Sequence, residues 1–329
     1  MAGSSRYSDP EVLARIKRLE LRAKHAVQGT LSGVNRSPRL GQSVEFVDYR
    51  EYAPGDDLKR LDWRVYARTN RWCVKLFEEE SNLRATLVLD ASRSMRYRGT
   101  GSALSKWDYA ATVCASLATL AVDQRDAAGL CVFDRDLRDF LPPVASRPQV
   151  LKIVRRLEEA APDRETELGA ALRAAARELP RRGLIFIVSD FLTDLDDFFA
   201  AMQALTHRAH DVVLLHVLDR DEIALPFDDQ VEFVDLEGAD RLMAEPKYFR
   251  SVYRDAMRDF CQQTEDRAGE IGADYLLMTT DTDIGLALSF YLDRRRRLAV
   301  RGSRRGGRLP VTGGGSVKAA FRRLEGETP

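Results

Sequence analysis

No run in these 329 residues approaches the roughly 18 consecutive apolar positions that a bilayer-spanning helix needs. The apolar stretches at 183–188 and 212–218 have the length of buried strands instead. Cysteine is scarce: Cys73, Cys114, Cys131 and Cys261 stand far apart, with no Cys-x-x-Cys pair. That spacing argues against both a zinc site and a secreted disulfide framework, so reduced core thiols are expected. No signal-peptide pattern opens the chain, and a soluble cytoplasmic protein is expected.

Histidine is limited to His25, His207, His210 and His216, none in a motif relation to a serine. A serine nucleophile needs a base, and Gly-x-Ser-x-Gly is missing as well. The phosphate-binding loop Gly-x-x-x-x-Gly-Lys-Ser/Thr is also absent. His216, inside an apolar strand, reads as a core histidine rather than a ligand. Net charge is zero, with 51 Lys and Arg against 51 Asp and Glu. The balance hides an asymmetry, because residues 294–329 hold 11 basic and 2 acidic side chains and leave 40 against 49 in residues 1–293. A basic tail can touch acidic protein, anionic lipid or nucleic acid without sequence preference, but a solvated, disordered extension is the favoured reading.

What the chain does have is Ala85-Thr86-Leu87-Val88-Leu89-Asp90-Ala91-Ser92-Arg93-Ser94, a short apolar run that breaks into Asp-x-Ser-x-Ser. A buried parallel strand reads this way, and its carboxyl end is where open α/β sheets place ligands. One carboxylate and two hydroxyls at alternate positions can face a common point and offer oxygen ligands to a hard cation such as Mg2+. Alone, the same residues also serve as caps of an ordinary strand-to-helix turn. Asp90 lacks a second aspartate two residues on, as haloacid-dehalogenase-like phosphatases carry; Ser92 stands there.

In chain order, residues 10–27 have helical spacing, while 29–84 are broken by Gly and Pro around strands at 44–49 and 72–77. The polar run between these strands holds Arg50, Asp56, Arg60, Asp62, Trp63 and Arg68, with Glu78 just beyond. These arginines suit a carboxylate or phosphate, making a second interface, or they pair with the acids and pin the block to the main domain. Interleaved signs favour the structural version. From residue 85 strands and helices alternate: strands at 127–133, 183–188, 212–218 and 275–278, a short antiparallel partner at 137–141 stopping before Pro142-Pro143, and an edge strand at 230–236. The last helix is expected at 284–297 and a disordered tail from Ala299. The expected architecture is α/β, a mostly parallel sheet of five or six strands with helices on both faces. Four segments follow: an N-terminal helix (1–28), a β-containing block packed on the main domain (29–84), the α/β domain (85–298) and the basic tail (299–329).

Asp90-Ala91-Ser92-Arg93-Ser94-Met95, Thr166 ahead of a helix and Val188-Ser189-Asp190 after a later strand resemble the three loops of a von Willebrand factor type A domain with its metal-ion-dependent adhesion site. The upstream run from Glu45 through Pro54-Gly55-Asp56-Asp57 and Leu61-Asp62-Trp63 to Phe77-Glu78 is similar to the bacterial domain-of-unknown-function 58 family, a likeness that spans most of 28–295. The resemblance implies a Rossmann-like fold in which Ser92 and Ser94 ligate a divalent cation (Mg2+, with Mn2+ or Ca2+ as alternatives), Asp90 and Asp190 hold it directly or through water, and Thr166 joins on closure. It also implies a partner that completes the coordination with an acidic side chain, and association with a MoxR-type ATPase of the AAA+ class. Two departures stand out. Many members carry membrane helices ahead of the block, and Glu167 follows Thr166 where Asp or Asn is usual. The expected function is a non-enzymatic, metal-dependent adaptor. The alternatives are a hydrolase that activates water on the metal, or binding of nucleic acid or anionic membrane through Arg294–Arg323.

Overall fold

A computed structural model describes residues 46–51, 63–77, 83–165, 167–179, 182–236 and 240–303. The chain divides into two compact units, Val34–Asn82 and the remainder. In the smaller unit β1 (Phe46–Glu51) and β2 (Cys73–Phe77) pair antiparallel, with Arg50 opposite Val74 and a bulge between Phe46 and Asp48. Between them lies α1 (Trp63–Thr69). It stops at Asn70, whose φ of 53° is a left-handed conformation that asparagine tolerates and whose N–H returns to the Tyr66 carbonyl at 2.8 Å. The Tyr66 and Trp72 rings lie 4.4 Å apart and Trp63 packs edge-on to Trp72 at 5.8 Å. Such ring pairs contribute about 0.5–1.5 kcal/mol each beyond burial.

The larger unit is built on β3 (Arg84–Asp90), α2 (Lys106–Asp123), β4 (Ala127–Phe133), β5 (Leu137–Val144), α3 (Arg147–Glu159), α4 (Leu168–Glu178), β6 (Leu184–Ser189), α5 (Leu195–His207) and β7 (Asp211–Leu218). It continues with α6 (Arg220–Ala224), β8 (Val231–Val234), β9 (Arg241–Ala244), α7 (Arg250–Glu270), β10 (Asp274–Thr279) and α8 (Gly285–Ser303). The main sheet runs β10-β7-β6-β3-β4-β5, parallel throughout except for the antiparallel β4–β5 pair. β3 is central and buried from Ala85 to Asp90, as a parallel strand covered on both faces must be. Leu87 and Leu89 join a core with α2, α3 and α8, whereas Val88 joins the opposite core with α4, α5 and α7. The buried alanines of α2, among them Ala110, Ala111, Ala115 and Ala118, let that helix lie close to the sheet. Fully burying one Leu or Val of β3 stabilises the fold by about 1.5–3 kcal/mol.

Three expectations need correction. β5 does not stop before Pro142-Pro143 but runs through both to Val144. It is the outer strand of the sheet, where a residue without an N–H costs no ladder bond on the open side. The strand expected at 230–236 is not an edge of the main sheet; β8 pairs with β9 in a separate antiparallel hairpin, Phe233 opposite Leu242. Finally, the last helix does not give way at Ala299 but reaches Ser303. Ala, Val and Arg carry the helix on until Gly302-Ser303. The helix expected at 10–27 and residues 304–329 lie outside the described residues.

Candidate functional site

Five parallel strands point the same way, and each delivers an aspartate to the carboxyl edge of the sheet. Asp90 ends β3, Asp134 follows β4, Asp190 follows β6, Asp219 follows β7 and Asp281 lies just past β10. Two of them, on the adjacent central strands β3 and β6, share a buried cluster with serine hydroxyls. Asp90 Oδ1 accepts the Ser92 N–H at 2.8 Å and Asp90 Oδ2 accepts the Ser189 hydroxyl at 2.6 Å. Ser92 and Ser94 share a hydroxyl hydrogen bond at 3.0 Å, and the Ser94 hydroxyl helps favour the charged form of Asp190. Asp90, Ser92, Ser189 and Asp190 are completely buried, while Ser94 is half-buried.

Local structure fixes these side chains. After Ser92 the chain enters a short 3-10 turn, Arg93–Arg96, anchored by Met95 in the core. After Asp190 the chain turns through Phe191 at φ 51°, a left-handed conformation that is costly for a bulky residue. Burial of the ring against Phe198 and His216, with centroids at 5.2 Å from each, compensates for it. The Leu192 N–H then bonds back to Asp190 Oδ1 at 3.2 Å. The loop that precedes α4 is tied to the same place, since Ser92 forms a parallel bridge with Arg164 and the Arg93 N–H donates to the Arg164 carbonyl at 2.7 Å.

The electrostatics are set by a buried lysine. Lys106, the first residue of α2, is completely buried and donates to Asp190 Oδ2 at 2.8 Å and to Glu222 Oε1 at 2.6 Å. Burial would strip its charge, but these two carboxylates hold the ammonium above the usual lysine range. Burial likewise opposes the Asp190 charge, yet the Lys106 ammonium and the Lys106, Ser94 and Leu192 hydrogen bonds outweigh it and keep that carboxyl below its ordinary value. Asp90 has no such cation. Burial and the neighbouring Asp190 charge push it up to about 7.

A divalent cation fits this set of residues. Asp90, Asp190 and Glu222 outnumber the single Lys106 ammonium, and Ser92 and Ser94 add neutral oxygen donors, the ligand chemistry that Mg2+ takes. Among the described residues no group of three or more His, Cys, Asp or Glu is placed to hold a metal ion. The donors gathered here are instead a mixture of hydroxyl and carboxylate oxygens.

Residues 48–263 match the family model described as "Protein of unknown function DUF58". The chain belongs to that family. An uncharacterized protein of Mycobacterium tuberculosis (strain ATCC 25618 / H37Rv) is 28% identical to this DUF58 chain over 300 residues, 89% of this chain and 93% of the relative. An uncharacterized protein of Mycobacterium bovis has the same identity and coverage. Among solved structures, the conserved hypothetical protein BatB from Bacteroides thetaiotaomicron is similar with a TM-score of 0.43 and 16% identity, covering 65% of this chain and 99% of that one. The SpRpn10 VWA domain is similar with a TM-score of 0.38 and 9% identity, covering 63% and 95%. Both likenesses are remote, and the family assignment rests on the family model.

Of the site residues expected from the sequence of this DUF58 chain, Asp90, Ser92, Ser94 and Asp190 come together as described. Thr166 lies outside the described residues, although its loop is the one bonded to Ser92 and Arg93. In the upstream block, Arg50 sits in β1, Trp63 opens α1, 60% exposed and edge-on to Trp72, and Arg68 is exposed in the last turn of α1. Asp56, Arg60, Asp62 and Glu78 lie outside the described residues. His216 is a core histidine as expected, its Nδ1 sharing a 2.7 Å hydrogen bond with the Tyr275 hydroxyl. Sequence reasoning missed Lys106, Ser189 and Glu222. The acidic run Asp219-Arg220-Asp221-Glu222 just past a parallel strand was the one available signal.

Among the described residues no helix is long and apolar enough to cross a membrane.

Proposed function

We propose that this DUF58 chain is a non-enzymatic protein-interaction module whose contact is made at Asp90, Ser92, Ser94 and Asp190 with a divalent cation, Mg2+ above all. One observation carries the reading: two carboxylates and two hydroxyls from adjacent central strands converge at the carboxyl edge of a parallel sheet, with only Ser94 of the four reaching the surface. When bound, the cation supplies a Lewis-acidic position that an outside carboxylate can fill. Ser92 and Ser94 orient each other, Ser189 and the Ser92 N–H hold Asp90, and Lys106 with the Leu192 N–H holds Asp190.

The partner is a protein that presents a Glu or Asp, and family resemblance points to a MoxR-type AAA+ ATPase. The non-enzymatic reading is supported by what the serines and histidines touch. The Ser92 and Ser94 hydroxyls bond to each other, the Ser92 N–H bonds to Asp90, and His216 Nδ1 shares a hydrogen bond with the Tyr275 hydroxyl. Affinity capture from native extract tests the proposal with wild type in Mg2+, wild type in EDTA, and a folded Ser92→Ala/Ser94→Ala variant. Retention of a specific AAA+ ATPase by the first alone supports it. The same proteins in all three arms would move the contact away from this site.

A further inference from the structure

Among the described residues Lys106 is the one fully buried lysine at the carboxyl edge, and so far it serves only as a tether. Lysine is almost never buried unless it is paired, and here its ammonium is spent on two carboxylates from two different elements, Asp190 after β6 and Glu222 in α6. It also lies over the Tyr97 ring at 6.0 Å. Glu222 is itself fixed. Its Oε2 accepts the Asp219 N–H at 2.7 Å in a capping box, and its carbonyl accepts the Tyr253 hydroxyl at 2.8 Å. The ammonium therefore sits between one carboxylate that belongs to the cation site and one that belongs to the neighbouring α6–α7 framework.

We infer that Lys106 is a positioning residue that sets the cation affinity of the site, an internal ammonium that competes with a divalent cation for Asp190 and is held in reserve by Glu222. The inference rests on the reading of Asp190 as a cation-site residue. Its physical basis is Coulombic. A positive charge 2.8 Å from Asp190 disfavours a second cation at that carboxylate, and in a buried site little water screens the repulsion. The chain alone would then bind a divalent cation weakly, and a partner carboxylate would supply the missing negative charge. Cation and partner would bind with positive coupling, each tightening the other by the same factor.

Lys106 and Glu222 carry opposite expectations, which separates charge setting from mere structural support. Lys106→Met removes the competing ammonium and leaves Asp90, Asp190 and Glu222 uncompensated, so divalent affinity rises. Glu222→Gln leaves the ammonium to Asp190 alone, so affinity falls. The test is Mn2+ titration of the full chain by calorimetry and electron paramagnetic resonance, with Ser92→Ala/Ser94→Ala as the control that removes the site. Lys106→Met is expected to bind Mn2+ at least tenfold more tightly than wild type and to show a larger Mn2+-dependent rise in unfolding temperature. Glu222→Gln is expected to bind several-fold more weakly. If Lys106→Met does not fold, Glu222→Gln still decides, because affinity equal to or above wild type overturns the inference. Equal affinities in all three chains, or weakening in both variants, also overturn it while leaving the cation reading intact. Mn2+ binding that is absent from every chain, or unchanged in the serine variant, overturns the cation reading and this inference with it.

Discussion

The Ser189 hydroxyl donates to Asp90 Oδ2 at 2.6 Å and accepts the Phe191 N–H at 2.9 Å, so one serine at the end of β6 joins the carboxylate of β3 to the strained turn after Asp190. All three groups are buried. Ser189→Ala leaves a carboxylate oxygen and an N–H without these partners, a loss of about 1–3 kcal/mol. Equilibrium denaturation checks it, and a loss below about 0.5 kcal/mol, the size of an ordinary surface substitution, would remove Ser189 from the site's framework.

The fold was legible because its signals are local. Apolar runs such as 85–89 and 184–188 read as strands of a doubly covered sheet, and the alanines of α2 as a helix packed close to one. Asp90, Ser92 and Ser94 were legible because they follow one strand, and Asp190 because it ends another. Lys106 and Glu222 were not, because their roles depend on separations of 84 residues from Lys106 to Asp190 and 116 from Lys106 to Glu222 closing to contact. β5 was misjudged at Pro142 because a single sequence does not say which strand lies outermost.

Acid should act through Asp219. Burial works against its charge, but the Asp221 and Gly99 N–H groups and the Ser102 and Thr280 hydroxyls outweigh burial and hold its carboxyl below the ordinary range. A depressed folded-state value contributes stability that is present above the unfolded value of about 3.9 and is lost as pH falls through the folded one. Asp219→Asn should therefore be less stable than wild type at pH 7, with the gap narrowing below about pH 4. Unfolding curves at both pH values measure it, and a gap that widens in acid would contradict the assignment.

Gly129 of β4 faces the proline-containing part of β5. A Cβ there would lie 2.8 Å from the Leu141 carbonyl oxygen and 2.9 Å from the Pro143 nitrogen, both backbone atoms that cannot rotate away. Gly129→Ala should cost about 1–3 kcal/mol through overpacking. Hydrogen exchange should show the β4–β5 ladder opening first, and a variant with wild-type stability would mean that the outer strand shifts freely.

Cys114, Cys131 and Cys261 are buried free thiols, and burial pushes Cys131 and Cys261 up to about 12. The thiolate is the reactive form, so burial protects them both by blocking access and by suppressing ionisation. In a Cys73→Ser background, labelling by a thiol reagent at pH 8 should follow the unfolding rate and accelerate with urea. Stoichiometric labelling of the native protein within minutes would refute the packing described here.

The basic tail does not begin at Arg294. That guanidinium reaches Asp211 at 2.6 Å and Asp274 at 3.1 Å, fastening α8 to the starts of β7 and β10, and its side chain is only 11% exposed. Truncation after Asp293 would therefore remove a structural arginine together with any nucleic-acid or lipid contact, and a loss of binding would be uninterpretable. Arg294→Ala should cost about 3 kcal/mol, because it removes the cation that Asp211 and the buried Asp274 share. Truncation after Ser303 keeps that pairing. If the tail binds nucleic acid, the shorter truncation abolishes a salt-sensitive affinity while Arg294→Ala leaves it in place. If Arg294→Ala loses that affinity without losing stability, the arginine is a surface contact after all.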